Sequence, residues 1–499
     1  MSFTPTETVS FNLTPIEQNG TRQYKRVAIV LPLLLSTNDS PRESSIIQER
    51  TLRAFLDTLS AWPFLWRSVR ISGERKLVML GTPSTYSDSQ SELRNAPTPP
   101  SNQPEGQEFF SQLYLNSLSA GFFRSESELN LVSGVPPVMM KVSFLDTLLV
   151  LGFSFYEAVV DGEFISRFFS WMIDATWMFD STHITAASRM AFVHRRPIEA
   201  VRPADINRNM FSFYDWSKRP PPQYTPKDRL VCRLIEFKKA NMLDFMGRIR
   251  RAVGSSVFGV RVKDEDYIVA IIWATIIHAR LMMDRIKLRH NARLNILLPG
   301  EPHARRAGEH DFCYFGNSTV PTVAELGVSR MLFPDRYIID HNFQYQSNCH
   351  YSIRGLSEAA GAIRWAINKV DHNYVRHLMG LKDTLQPSTD WAAYERGIDR
   401  HTTGTVFEDW SGYFNNQAIG LPYSMGRAVR MLPCADDKEE GKIVLLPTLG
   451  GLDASGNEIG WTAWVCLDVE VMPIVLRELD IQGWTTGGAA ANMNTMESW

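Results

Sequence analysis

The stretch LLVLGFSFYEAVVDGEFISRFFSWM, residues 148–172, decides how the chain is read. An apolar run from Leu148 to Phe155, too short to span a bilayer, gives way to the polar corner Tyr156-Glu157-Ala158-Val159-Val160-Asp161-Gly162. Beyond it, Phe164, Phe168 and Trp171 recur at helical spacing. The pattern predicts a buried strand, a corner and a helix. Two carboxylates, Glu157 and Asp161, stand four residues apart at the edge of a core, and Gly162 permits a tight backbone turn. Chemistry is expected at this corner.

On the N-terminal side, Arg26 to Pro32 reads as a short buried strand. From Ser44 to Trp62, Leu52, Phe55, Leu56 and Leu59 fall on one face of an amphipathic helix that Pro63 stops. Trp66 to Leu80 returns as strands, and Pro83 to Gln107, rich in Ser, Pro, Asn and Gln, reads as a surface loop. On the C-terminal side, Asn207 to Lys227 contains Pro220, Pro221 and Pro222 and marks a crossover whose aromatics pack on the body. A strand from Arg229 to Phe237 follows, then a helix carrying Arg248, Arg250 and Arg251. Asp264 is placed as N-cap of the core helix Tyr267 to Met283. Leu356 to Leu381 is one long helical pattern, Lys442 to Leu446 and Trp461 to Val469 are strand-like, and a short helix follows Met472. No internal repeat is visible.

A chain of 499 residues exceeds one ordinary core, so two domains of roughly 200 to 250 residues are expected. The division is residues 1–206, a crossover at 207–228, and 229–499. Strands and helices alternating across both halves predict an α/β or mixed α+β protein with its site between the halves. Hydrophobic residues at 44% and charged residues at 21% exclude a largely disordered or fibrous chain. A net charge of −2 gives no electrostatic reason for nucleic acid or an anionic membrane as partner, and favours a compact, weakly charged ligand. The five cysteines lie far apart with no Cys-x-x-Cys pair, so neither a zinc site nor a disulfide framework is expected. The N-terminus lacks a secretory or mitochondrial pattern, so the protein is expected in the cytoplasm. A monomer without a metal site is also expected.

The corner F-S-F-Y-E-A-V-V-D-G resembles the BAHD acyltransferase family, whose signature there is His-His-x-x-x-Asp-Gly after a buried strand. Other stretches fall in the family's order: Leu13 to Gln18, Pro63-Phe64-Leu65 with Arg67, Asp264 to Trp273, Arg293-Leu294-Asn295, and Tyr314-Phe315-Gly316-Asn317. Leu421 to Arg427 (LPYSMGR) occupies the place of the Asp-Phe-Gly-Trp-Gly motif and keeps only its last glycine, Gly426. The resemblance covers nearly the whole chain and is closest in flavour to fungal trichothecene O-acetyltransferases. It implies a two-domain fold like chloramphenicol acetyltransferase, with the active site in a channel between domains. It also implies acyl transfer from acyl-coenzyme A to a hydroxyl, or less readily an amine, of a specialised metabolite (EC 2.3.1.-), with no permanently bound cofactor.

One departure bears on chemistry. The family's general base is the histidine before x-x-x-Asp-Gly; here that position is Glu157, preceded by Tyr156, and none of the 11 histidines restores a His-x-x-x-Asp spacing. Glutamate's reference pKa of about 4.3 is roughly two units below histidine's, so Glu157 needs burial to serve as base. A protonated histidine is also a cation beside the developing oxyanion, whereas protonated glutamate is neutral. Three readings stay open: Glu157 as the acyl-transfer base; Glu157 with the Tyr156 hydroxyl in a coenzyme A-independent cyclisation or isomerisation; and a non-catalytic pathway protein in which Glu157 is a solvated carboxylate.

The resemblance further makes Asp161 an architectural residue paired with an arginine, Arg293 first and Arg289 second. Gly162 and Gly426 are expected as turn residues. Arg248, Arg250 and Arg251 could meet the phosphates of coenzyme A, although a solvated helix face is the preferred reading of that pattern. Phe168 and Trp273 are core residues by spacing.

Overall fold

The computed structural model describes residues 11–19, 22–32, 40–61, 65, 68–71, 77–80, 91–93, 131, 134–145, 148–177, 200–217, 224–254, 256–304, 316–333, 352–414, 430–434, 436–448 and 458–486. Its strands in chain order are β1 (Phe11–Asn12), β2 (Tyr24–Pro32), β3 (Ser68–Ile71), β4 (Leu77–Leu80), β5 (Ser91–Leu93), β6 (Val138–Leu145), β7 (Leu148–Tyr156) and β8 (Leu230–Lys238). There follow β9 (Ser256–Val257), β10 (Val260–Arg261), β11 (Asn291–Leu298), β12 (Val320–Gly327), β13 (Gly404–Asp409), β14 (Arg430–Pro433), β15 (Lys442–Leu446) and β16 (Ile459–Asp468).

Two sheets carry the architecture. The first runs β14-β2-β7-β6-β5 and the second β12-β11-β13-β15-β16-β8, beside a small β1-β4-β3 sheet and the β9-β10 hairpin. Every residue of β7 is buried, as an apolar run without alternation requires. Phe153 and Phe155, two apart on one face, meet Phe168 and Phe169 of the following helix with ring centroids 5.0–6.0 Å apart. β16 divides its residues by the same alternation. Trp464 and Cys466 join β2 and β7 in one core, while Ala463, Val465 and Leu467 join the helices Asp264–Met282 and Val471–Ile481 in the other. The second sheet is therefore the wall shared by both cores.

The α/β assignment and the strand-corner-helix reading of 148–172 match these elements. Several boundaries differ for local reasons. Leu356 to Leu381 is two helices, Ile353–Asn368 and His372–Thr384, because Asp371 accepts a hydrogen bond from the Tyr374 N–H and starts a new helix. Lys263, not Asp264, is the N-cap of the core helix; the Asp266 carboxylate reaches back to the Lys263 N–H at 2.8 Å. Within the expected Pro83 to Gln107 loop, Ser91–Leu93 forms β5, parallel to β6; the rest of that stretch, like Pro220, Pro221 and Pro222, lies outside the described residues. The aromatics of the crossover do pack on the body: Phe211, Phe213 and Tyr214 are buried in the second core.

The halves are also not separate in sequence. β14, from the C-terminal half, pairs antiparallel with β2 and forms an edge of the first sheet.

Gly162 opens the Gly162–Trp177 helix without a left-handed backbone, so the tight-turn explanation fails. Close approach explains it instead: a Cβ there would lie 2.1 Å from the Tyr413 hydroxyl. Gly162→Ala should destabilise the protein by about 1–3 kcal/mol in urea unfolding. Tyr413→Phe in the same chain should recover part of that loss, and strict additivity of the two changes would show that the contact is not the cause.

Candidate active site

The corner is fixed from both sides. The Glu157 N–H donates to the Gln23 carbonyl at 3.0 Å, and Asn317 Nδ2 donates to the Glu157 carbonyl at 2.5 Å. Asp161 spends both carboxylate oxygens on the chain. Oδ1 accepts from the Phe164 N–H at 2.9 Å, capping the helix, and Oδ2 accepts from the Ser318 N–H at 2.9 Å and hydroxyl at 2.6 Å. Burial pushes the Asp161 carboxyl up, against the pull of the Ser318 and Phe164 donors. These bonds hold the strand-helix corner against residues 317–318, which lead into β12.

Glu157 faces a cavity of about 140 Å³ lined by residues of both halves. Its side chain is 19% accessible; Oε2 accepts from Gln23 Nε2 at 3.1 Å, and Oε1 lies 3.8 Å from Lys25 Nζ. Burial pushes its carboxyl above the ordinary value, and Lys25 and Lys442 pull it only part of the way back. Next to it lies a second carboxylate of opposite tendency. Glu408 receives Lys25 Nζ at 2.7 Å, Lys442 Nζ at 3.0 Å and the Trp410 indole N–H at 3.0 Å. Burial works to raise Glu408 as well, but the two ammonium groups overcome it and hold the carboxyl far below the carboxylate range. The two carboxylates thus differ in environment, burial raising one and two ammonium groups lowering the other.

Elsewhere on the cavity wall, Lys382 pairs with Asp390 at 2.7 Å, and the Tyr214 hydroxyl donates to the same carboxylate. Asn19 donates through Nδ2 to the Lys382 carbonyl at 2.8 Å. Four cationic residues, Lys25, Lys382, Arg400 and Lys442, line the cavity with four anionic ones, Glu157, Asp390, Glu408 and Glu439. Such balance favours a ligand without net charge.

Not every expected residue reaches this place. Tyr156 is the last residue of β7, and strand alternation turns its ring into the first core, edge-on to Tyr24 at 5.3 Å. It does not line the cavity, and burial pushes its hydroxyl up to about 12. Arg293 does not pair with Asp161. It sits in register opposite Glu325 on β12 and pairs with that carboxylate at 3.4 Å, a cross-strand contact, while Arg289 is exposed. Arg248 pairs with Asp244 and Arg250 with Asp264; Arg251 is exposed, and none of the three lines the cavity. Gly426, Tyr314 and Phe315 lie outside the described residues.

No protein-family model matches the sequence, and no curated protein does. Solved structures do. Fusarium graminearum TRI101 complexed with coenzyme A and T-2 mycotoxin superposes with a TM-score of 0.72 at 12% identity, covering 96% of this chain and 99% of that one. The chain has the two-domain BAHD acyltransferase fold. TRI3 trichothecene 15-O-acetyltransferase of Fusarium sporotrichioides superposes with a TM-score of 0.60 at 9% identity, covering 95% and 94%. Vinorine synthase gives 0.55 at 15%, covering 98% and 97%.

Within this BAHD fold the corner is legible in the sequence, but its charged neighbours are not. Lys25 is the second residue of β2, Glu408 the last but one of β13 and Lys442 the first of β15, so all three sit at strand ends. A charge at a strand end is ordinary in sequence, and the groups it meets across the fold are set by long-range packing. Asp161→Ala should cost roughly 2–5 kcal/mol in urea unfolding, since it leaves the Phe164 N–H and both Ser318 donors without their acceptor. Asp161→Asn, which keeps an acceptor oxygen, should cost less.

Proposed function

We propose that the protein is an acyl-coenzyme A-dependent O-acyltransferase of specialised metabolism, in which Glu157 is the general base. The observation that carries this reading is the Glu157 carboxyl, raised by burial, at the wall of a cavity between the two halves. The chain-long likeness to TRI101 in complex with coenzyme A supports the donor, and the likeness to trichothecene acetyltransferases supports a hydroxylated natural product as acceptor. The uncharged balance of the cavity lining agrees with such an acceptor. We further take the enzyme to be cytosolic and monomeric.

In this mechanism the ionised Glu157 accepts the proton of the acceptor hydroxyl as that oxygen attacks the thioester carbonyl. Collapse of the resulting oxyanion breaks the carbon–sulfur bond, and the departing thiolate recovers the proton from Glu157. Glu408, locked as an anion by Lys25 and Lys442, takes no proton in either step. Tyr156 has no part, because its ring is in the core.

Purified protein mixed with acetyl-coenzyme A and hydroxylated acceptors, T-2 mycotoxin and deoxynivalenol among them, should release free thiol. Glu157→Gln should slow that release by about 100-fold or more. Because the base must be ionised, the rate should rise with pH through a limb above the ordinary glutamate value. Full activity in Glu157→Gln would remove Glu157 as base, and calorimetry showing no coenzyme A binding would favour the donor-independent alternative.

A further inference from the structure

Replacing an imidazole base by a carboxylate leaves an electrostatic deficit. A neutral imidazole becomes a cation when it takes the proton, while a carboxylate becomes merely neutral, so the oxyanion formed in the same step loses its counter-charge. The residues packed around Glu157 bear on that deficit. Lys25 comes from β2, Glu408 from β13 and Lys442 from β15, with Gln23 uncharged beside them. Farther along the wall, Glu439 engages Lys442 at 3.2 Å and also Arg400.

Lys25, Lys442, Glu157 and Glu408 sum to zero charge while both carboxylates are ionised. Once Glu157 takes a proton, the same four groups carry one net positive charge. That charge develops on the cavity wall in the step that creates the oxyanion. Lys25 is the nearer cation: its Nζ bonds Glu408 at 2.7 Å and stands 3.8 Å from Glu157, too far for a hydrogen bond. An ammonium has three N–H donors, so the Glu408 bond leaves it capacity to turn toward a ligand oxygen. The ammonium also lies 5.5 Å over the Trp410 ring, which fixes its position in a second direction.

We infer that Lys25 is a further catalytic group, supplying the positive charge to the oxyanion that a protonated histidine would otherwise supply, with Lys442 holding Glu408 as its anchor. The inference rests on the acyl-transfer reading for its oxyanion. No atom is exchanged with Lys25. The proton moves from the acceptor oxygen to Glu157 and then to the departing sulfur, while the ammonium keeps its three protons throughout.

Two measurements test it. The first is a cycle of thiol-release rates across Lys25→Met and Glu157→His, alone and combined. Lys25→Met should slow the native enzyme by about 100-fold and Lys25→Arg should restore most of the rate. In the Glu157→His chain, whose imidazolium carries its own charge and is repelled by Lys25, Lys25→Met should slow nothing or speed the reaction. An equal loss in both backgrounds overturns the inference.

The second measurement needs no turnover. Nitrate, a small oxyanion with no titration of its own near neutrality, should bind the whole protein more tightly as pH falls through the Glu157 titration. One proton should be taken up per nitrate, and both effects should be lost in Glu157→Gln and in Lys25→Met. Absent binding, or binding indifferent to pH or to Lys25, overturns the charge coupling. Coupled nitrate binding with no thiol release in any variant would overturn the acyl-transfer reading and leave the role of Lys25 as charge partner standing.

Discussion

Everything at the site depends on one buried carboxylate that performs no chemistry. Asp161 receives three hydrogen bonds, one from the start of its own helix and two from Ser318, more than 150 residues along the chain. Each bond alone is worth about 1 kcal/mol, but leaving any of those buried donors unmatched would cost more. The carboxylate therefore fixes the exit angle of the helix after β7 and the approach of the chain into β12 together. Asn317, next to Ser318, then clamps the Glu157 carbonyl. The position of the proposed base follows from a residue four places along the corner.

The charged wall answers a question that the sequence alone raises. A lone glutamate in place of histidine looks like a lost base, because an exposed carboxylate is too weak and its protonation creates no cation. In the folded chain neither objection stands by itself. Burial raises Glu157, and the cations around Glu408 are already present. Desolvating two ammonium groups and two carboxylates is expensive, and buried ion pairs seldom return that cost as stability. Here the arrangement keeps two carboxylates of one small cavity in different protonation tendencies, which apolar substitutes could not do.

How far the residues could be read before folding depended on the range of the forces involved. The run Leu148 to Phe155 and the spacing of Phe164, Phe168 and Trp171 declare strand and helix because burial is periodic in the local chain. Glu157 was visible by its place in a motif. Arg293 meets Glu325 and not Asp161, because the cross-strand register that sets it there is a long-range property. Tyr156 ends β7 with its ring in the core, so its place beside Glu157 in sequence does not bring it to the cavity. Lys25, Glu408 and Lys442 come from three strands of two sheets, and no local pattern pairs them.

β14 has a consequence of another kind. The first sheet is bordered on one side by residues 430–433, while its other described strands lie before residue 157. A ribosome making this chain would complete β2, β6 and β7 long before the strand that covers the outer edge of β2 emerges. For most of synthesis that edge, with its row of free backbone groups, is a template for any stray strand. The last seventh of the chain, about 70 of 499 residues, thus acts as a late closing seam, and nascent chains truncated before residue 430 should present a sheet that is formed but open.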